Sequence, residues 1–314
     1  MNLENTAFRH LNQAKANFDD IYTAPDPREY YRVLVGLDYV IPDLAKPIIR
    51  SLIGALRFHH GRSVKVLDIG CSYGINAALA RHPLDLPRIA RRYASPGMRA
   101  LGAEGLMRLD RHYFASWPSL TDARIVGLDA SESAVCYALN AGLLDGATSI
   151  DLERHDPAPR DRDLLSDLDL VISTGCVGYV TEKTFRRVLD LQDRGRMPWV
   201  ANFVLRMFPY EPVAAELAQY GLVTEKLKGV TFVQRRFRSD REAAATLELL
   251  EQKGIDVRDK EAEGLLHAEL FVSRPAQWVE RLPLADLVSV TSGANRRYGR
   301  RFARGSGGSI SLVH

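Results

Sequence analysis

The sequence has 314 residues, 46% of them apolar and 26% charged, with a formal net charge of +3. This length suits one α/β domain with additional segments, and the small net charge does not favour a nucleic-acid-binding protein. Because there is no uninterrupted apolar run of about 18 residues, a membrane helix is excluded. Cys71, Cys136 and Cys176 lack the spacing of a disulfide framework or a zinc site. The N-terminus has no secretion signal, so we expect a cytoplasmic protein.

Residues 1–60 are predicted to form helices outside the sheet. Apolar residues recur at helical spacing over 12–21, a second helix follows Pro27, and a third runs from about residue 43 to 58. Four of the twelve tyrosines lie in this segment: Tyr22, Tyr30, Tyr31 and Tyr39. Their concentration indicates either ordinary core packing or a lid over a cationic ligand, since the face of an aromatic ring attracts a positive charge.

A buried strand, a glycine turn and a helix are predicted in succession over residues 64–81. Val64, Val66 and Leu67 make the strand apolar on both faces, as a parallel strand between helices must be. Gly70 and Gly74 bracket the turn, and alanine and leucine favour a helix from residue 75 onward, on which Asn76 can face water. This order is the first half of a doubly wound nucleotide-binding unit.

The composition of the turn argues against a dinucleotide. The spacing Gly-x-Gly-x-x-Gly is not present, because Ser72 stands at the place of the middle glycine. Asp68 lies two residues before Gly70, where a carboxylate would repel a pyrophosphate and suit a ligand that carries positive charge.

The segment 83–123 separates the first helix from the second strand and is predicted to be a helical insertion of about forty residues. Seven arginines are scattered through this segment and the start of the next strand. They indicate either an anionic partner or a solvated face paired with nearby acids such as Asp85, Glu104 and Asp110.

The second strand, 124–129, ends in Asp129. An acid at this strand end can accept hydrogen bonds from both hydroxyls of a ribose, and Ser131 is a suitable cap for the following helix. Further strands are predicted over 148–152, 168–173 and 197–207, with late strands at 229–236 and 266–273. Helices are predicted over 212–220 and 241–252. The glycine-rich loop after residue 173 places Tyr179 beyond a strand end, which is where α/β sheets bind their ligands.

The run Val-Leu-Asp-Ile-Gly-Cys-Ser-Tyr-Gly, residues 66–74, resembles motif I of class I S-adenosylmethionine (SAM) methyltransferases, and the resemblance extends over about residues 60–275. It implies a Rossmann-like α/β fold, with a seven-stranded, mostly parallel sheet between helices, and SAM as the cofactor. It implies that SAM is bound by Asp68, Gly70, Cys71, Ser72, Gly74, Asp129, Ala130, Asp156 and Ser173. Within this set, Asp129 would hold the ribose and Asp156 the adenine amino group. Tyr179, Tyr30 and Tyr31 are the candidates for the reaction centre.

These expectations give an N-terminal helical lid (1–60), a SAM-binding domain (61–275, with the insertion at 83–123) and a basic C-terminal tail (276–314). Five arginines at 296–304 would suit RNA or a phosphopantetheine carrier, or simply a solubilising surface with a flexible glycine end. The predicted activity is methyl transfer to a small molecule, with secondary metabolism as the expected context, and without metal, membrane or nucleic acid. The alternative is a cyclase of the same fold that converts SAM alone into azetidine-2-carboxylate and methylthioadenosine. The oligomeric state is left open.

Overall fold

The computed structural model describes residues 18–288, 301–304 and 310–313. Within them, eight strands form one sheet in the order β3-β2-β1-β4-β5-β8-β6, and β7 also pairs with β8. The strands are β1 (Val64–Ile69), β2 (Ala123–Leu128), β3 (Gly146–Thr148), β4 (Leu170–Thr174), β5 (Trp199–Leu205), β6 (Leu222–Lys226), β7 (Phe232–Arg236) and β8 (Leu265–Pro275).

The described helices lie on both faces of this sheet and over its edge. Those before β2 are α1 (Asp19–Tyr22), α2 (Arg28–Gly36), α3 (Ile41–His60), α4 (Ile75–Arg81), α5 (Leu86–Ala94), α6 (Pro96–Arg99) and α7 (Ala103–Ala115). Those after it are α8 (Glu132–Asn140), α9 (Pro159–Leu165), α10 (Glu182–Leu189), α11 (Glu211–Ala218), α12 (Asp240–Gln252), α13 (Ala276–Arg281) and α14 (Leu284–Leu287). No described helix is long and apolar enough to cross a membrane.

The first five strands are parallel, and β8 runs antiparallel to its three neighbours. β5 is buried along its whole length, as a strand covered on both faces must be. The fold class is therefore confirmed as a doubly wound, Rossmann-like α/β sheet, with eight strands instead of the expected seven. The strand order reverses between β1 and β4, and ligands of such sheets bind in the crevice beyond the carboxyl ends at that point.

Two strands differ from the sequence prediction. β6 was not predicted, and the strand predicted over 148–152 ends at Thr148. β3 ends early because side chains accept hydrogen bonds from the backbone N–H groups that follow it. Thr148 Oγ1 accepts from Ile150 N, and Asp151 Oδ1 accepts from Glu153 N at 2.9 Å. Such bonds turn the chain out of the sheet.

The N-terminal helices are anchored to both sides of the crevice. The Tyr73 hydroxyl, in the glycine turn, donates to the carbonyls of Ile21 (2.9 Å) and Ala24 (2.8 Å). On the other side, Val40 N donates to Gln234 O at 2.9 Å, so the loop between α2 and α3 extends the ladder of β7. The predicted helix over 12–21 lies mostly outside the described residues.

The insertion is helical as predicted, and it is fixed by a buried carboxylate. Asp110 is fully buried and accepts hydrogen bonds from Arg92 (2.8 Å), Tyr93 (2.8 Å) and Tyr137. Arg108 pairs with Glu104 on the surface. These arginines therefore pair with acids of the same segment.

The predicted basic tail is described only in part. Residues 289–300, which include Arg296, Arg297 and Arg300, lie outside the described residues, as do 305–309. Between and beyond these gaps, β9 (Arg301–Arg304) pairs antiparallel with β10 (Ile310–Val313). The glycine-rich segment that was expected to be flexible, 305–309, lies outside the described residues, between β9 and β10.

Candidate active site

A cavity of about 500 Å³ lies beyond the carboxyl ends of β1, β2 and β4, at the reversal of strand order. The glycine turn forms one wall, the N-terminal tyrosines form another, and β7 contributes Gln234 and Arg235. Gly70, Cys71, Ser72, Asp129, Ala130, Tyr30 and Tyr179, all predicted from the sequence, line this cavity.

The glycine turn needs left-handed backbone at three positions. Gly70 has φ +74°, and a Cβ there would lie 2.6 Å from Cys176 Sγ, so no larger residue fits without displacement. Ser72 has φ +48°, and its buried Oγ has no hydrogen-bond partner. Gly74, with φ +76°, does not line the cavity; it begins α4 and packs against Leu143. Its predicted place in the turn is confirmed, and its contact with SAM stays a prediction.

Asp129 connects the two loops that form the base of the cavity. Its Oδ2 accepts from Ser72 N at 2.8 Å and its Oδ1 accepts from Ser131 N at 2.9 Å. Burial raises the pKa of the Asp129 carboxyl, and these two backbone amides oppose that rise. Each carboxylate oxygen can accept more than one hydrogen bond, so Asp129 can also accept from ligand hydroxyls. The Ser131 side chain caps α8, as predicted, by accepting from Ala134 N.

Asp68 lies behind the turn, fully buried, and is not part of the cavity wall. Asn76 Nδ2 donates to Asp68 Oδ1 at 3.0 Å and to Thr174 Oγ1 at 3.1 Å, while Asp68 Oδ2 is buried without a partner. Burial raises the pKa of Asp68 to about 7, and the Asn76 hydrogen bond opposes this shift. The expectation that Asn76 can face water was wrong, because its side chain is buried and donates to this carboxylate.

Tyrosine rings form the wall that faces the glycine turn. Tyr22, Tyr30 and Tyr39 line the cavity, with the Tyr30 ring centroid 5.8 Å from that of Tyr22 and 6.2 Å from that of Tyr39. Burial raises the pKa of Tyr22 and Tyr30 well above the ordinary value and that of Tyr39 to about 12. These phenols are therefore neutral at physiological pH and present aromatic faces and hydroxyls.

Besides Asp68 and Gly74, three predicted site residues lie outside the cavity. Tyr31 packs against Tyr93 of the insertion, with ring centroids 5.0 Å apart. Ser173 is fully buried in the sheet and donates to Asn202 Oδ1 at 2.7 Å. Asp156 has a side chain that is 79% exposed and pairs with Arg187 at 2.6 Å. Its displacement follows from the early end of β3, which brings Asp151 to the cavity wall and carries Asp156 past it.

Several cavity residues were not predicted as site residues. Thr174, Gly175 and Cys176 follow β4, Asp151 to Arg154 follow β3, and Gln234 and Arg235 come from β7. Arg235 is 2% exposed and binds Glu242 through two hydrogen bonds of 2.9 and 2.6 Å. The run Phe-Val-Gln-Arg-Arg, residues 232–236, was predicted as part of a strand. Its polar residues could have indicated that this strand lines a cavity. Among the described residues, no three His, Cys, Asp or Glu side chains are placed to hold a metal ion.

No protein-family model and no curated protein matches this sequence. Among solved structures, the chain is similar to magnesium protoporphyrin IX methyltransferase from Synechocystis (12% identity, 74% of this chain and 79% of that one, TM-score 0.37). It is also similar to precorrin-6y C5,15-methyltransferase from Geobacter metallireducens (11%, 72% and 86%, TM-score 0.36). A third similar structure is the plantazolicin methyltransferase BpumL (10%, 74% and 85%, TM-score 0.35). At such scores these likenesses carry no argument, and the fold rests on the strand order above.

Proposed function

We propose that this chain binds SAM in the cavity at the reversal of strand order and transfers its sulfonium methyl group to a small molecule. The observation that carries the proposal is Asp129. Two backbone amides fix its carboxylate at the tip of β2, on the cavity wall. Two vicinal ribose hydroxyls match such an acceptor.

The surroundings of the cavity favour a positively charged ligand over a dinucleotide. The Asp129 carboxylate on the cavity wall would repel a pyrophosphate, whereas a sulfonium gains from it. Ser72, at the place of the middle glycine, has a buried side chain where a dinucleotide site needs close backbone approach. The neutral rings of Tyr22, Tyr30 and Tyr39 supply the aromatic faces that attract a cation.

In this arrangement, the ribose lies on Asp129 and the adenine extends toward the residues after β3. We assign the adenine contact to Asp151, in place of Asp156, because Asp151 lines the cavity. The methyl group then lies between the tyrosine wall and the loop after β4, with Tyr179 at the rim. Since SAM is already activated, in-line positioning and exclusion of water provide most of the catalysis.

One observation favours the cyclase as a second candidate. A volume of about 500 Å³ lies in the lower half of the range of about 300–1,000 Å³ for ligand sites, so SAM leaves little room for a separate acceptor. In the cyclase, the α-ammonium of SAM would release one proton to solvent, and the neutral amine would attack the γ-carbon of the same molecule. The carbon–sulfur bond would break, and methylthioadenosine would leave with the bonding electron pair.

Product analysis separates the two reactions. The purified protein is incubated with SAM alone, and the adenosyl products are resolved by chromatography and mass spectrometry. A methyltransferase forms S-adenosylhomocysteine only when an acceptor is added, whereas the cyclase forms methylthioadenosine without one. If calorimetry finds no binding of SAM or S-adenosylhomocysteine, both candidates are wrong.

A further inference from the structure

The side chain of Gln234 presents an unsatisfied acceptor at one end of the cavity. Gln234 lines the cavity and is 4% exposed, and its Oε1 atom is buried without a hydrogen-bond partner. Leaving a buried amide oxygen without a donor costs about 1–3 kcal/mol, so a ligand that brings a donor to this atom recovers that free energy. Gln234 comes from β7, a strand that carries none of the residues that the resemblance assigns to SAM.

The position of the amide is fixed relative to β4. Gln234 Nε2 lies 2.3 Å from the point that a Cβ on Gly175 would occupy, so the amide rests directly on the backbone of Gly175. Gly175 has φ +74° and follows Thr174, whose hydroxyl accepts from Asn76, the partner of Asp68. Gln234 therefore lies at the β4 end of the cavity, next to the Asp68 network.

The strand order gives the direction in which SAM lies. Asp129 follows β2, and Gly175 follows β4, two strands away across β1. At about 4.8 Å per strand, the two positions are roughly 10 Å apart. With the ribose on Asp129 and the adenine toward β3, the remaining part of SAM, the aminocarboxypropyl chain, extends toward Gln234.

The charge at this end suits an ammonium group. Burial raises the pKa of Asp68, behind the wall, to about 7, and an ammonium group nearby favours the charged form of this carboxyl. Arg235, the one cationic side chain that β7 adds to the cavity wall, is paired with Glu242. We propose that Gln234 Oε1 accepts a hydrogen bond from the α-ammonium of SAM, an inference that rests on the proposed function. Gln234 is then a specificity residue, because it makes the protein select adenosyl ligands that carry the amine.

The experiment combines a change in the protein with a change in the ligand. Wild-type protein and the Gln234→Met variant are titrated calorimetrically with S-adenosylhomocysteine and with the same thioether lacking its α-amino group. Loss of the amine should weaken binding to the wild type by about 10- to 100-fold, the range for hydrogen bonds to charged groups, and binding to Gln234→Met much less. Gln234→Glu retains an acceptor and should retain the preference for the amine.

Two results would overturn the assignment: equal affinity of the wild type for both thioethers, or the same loss in wild type and Gln234→Met. Methylthioadenosine, which lacks the whole chain, should bind wild type and Gln234→Met equally and so reports whether the variant is folded. If Gln234→Met does not fold, Gln234→Leu takes its place in the same titrations, and equal affinity of the wild type for both thioethers still overturns the assignment. Absence of binding by every adenosyl ligand would instead remove the proposed function.

Discussion

Replacement of Asp129 by alanine is the sharpest test of how the ribose is held. The carboxylate accepts two backbone hydrogen bonds, of 2.8 and 2.9 Å, and in our account two more from the ribose. Loss of the ribose contacts should cost about 1–3 kcal/mol of binding free energy, or about 5- to 150-fold in Kd. Calorimetric titration of SAM into wild type and Asp129→Ala measures this difference.

The substitution also leaves Ser72 N and Ser131 N without their acceptor, so Asp129→Ala should unfold at a lower temperature. Asp129→Asn, which keeps one oxygen, should show smaller losses of both affinity and stability. Asp156→Ala is the matched control, because Asp156 is exposed and pairs only with Arg187 in the described structure. Unchanged SAM affinity in a folded Asp129→Ala protein, or an equal loss in Asp156→Ala, would refute the reasoning.

Three further predictions follow from the same geometry. Burial raises the pKa of Asp68 from 3.8 to about 7, so between these pH values the folded protein retains a proton that the unfolded chain releases. The free energy of unfolding should therefore fall by up to about 4 kcal/mol as the pH rises from 4 to 7. Urea unfolding of Asp68→Asn should lack this fall, and an equal pH dependence in both proteins would contradict the assignment. Gly70→Ala should lower the free energy of unfolding by about 1–3 kcal/mol, because φ is +74° and the added Cβ meets Cys176. Gly54→Ala is the control, since a Cβ at this position of α3 meets nothing, and it should be neutral or stabilising. Equal melting temperatures of the two variants would argue against a strained turn. Tyr179→Phe should retain SAM affinity and, if the hydroxyl orients the acceptor, lose turnover; full activity of Tyr179→Ala would exclude the residue from the reaction centre.

The sheet was largely predictable because its central strands are apolar on both faces. β1 begins at Val64 as predicted, and Asp129 follows directly on β2 despite the long insertion. The turn after β1 could be predicted because glycine is favoured where the backbone needs a positive φ, as it does at Gly70 and Gly74. These are effects of short-range sequence, and they made predictable the part of the cavity in which we propose that the ribose lies.

The other half of the cavity could not be predicted, because it depends on long-range contacts. Gln234 reaches the site only because β7 pairs with β8 and because the 37–40 loop extends β7. Tyr31 points away because the insertion supplies Tyr93 as its partner. The displacement of Asp156 arose from two side chains that end β3 early. The contacts of Gln234 and Tyr31 join residues far apart in the sequence, whereas the early end of β3 has a local cause, the turns at Thr148 and Asp151.

We propose that the cavity between the glycine turn, Asp129 and the tyrosine wall holds an adenosyl sulfonium. A crystal structure of the protein with S-adenosylhomocysteine tests it most directly. Our account predicts ribose hydroxyls on the Asp129 carboxylate, adenine beside Asp151 and the α-amine beside Gln234. Density for the ligand at another place on the protein, or a cavity that accepts NAD in its stead, would contradict the account.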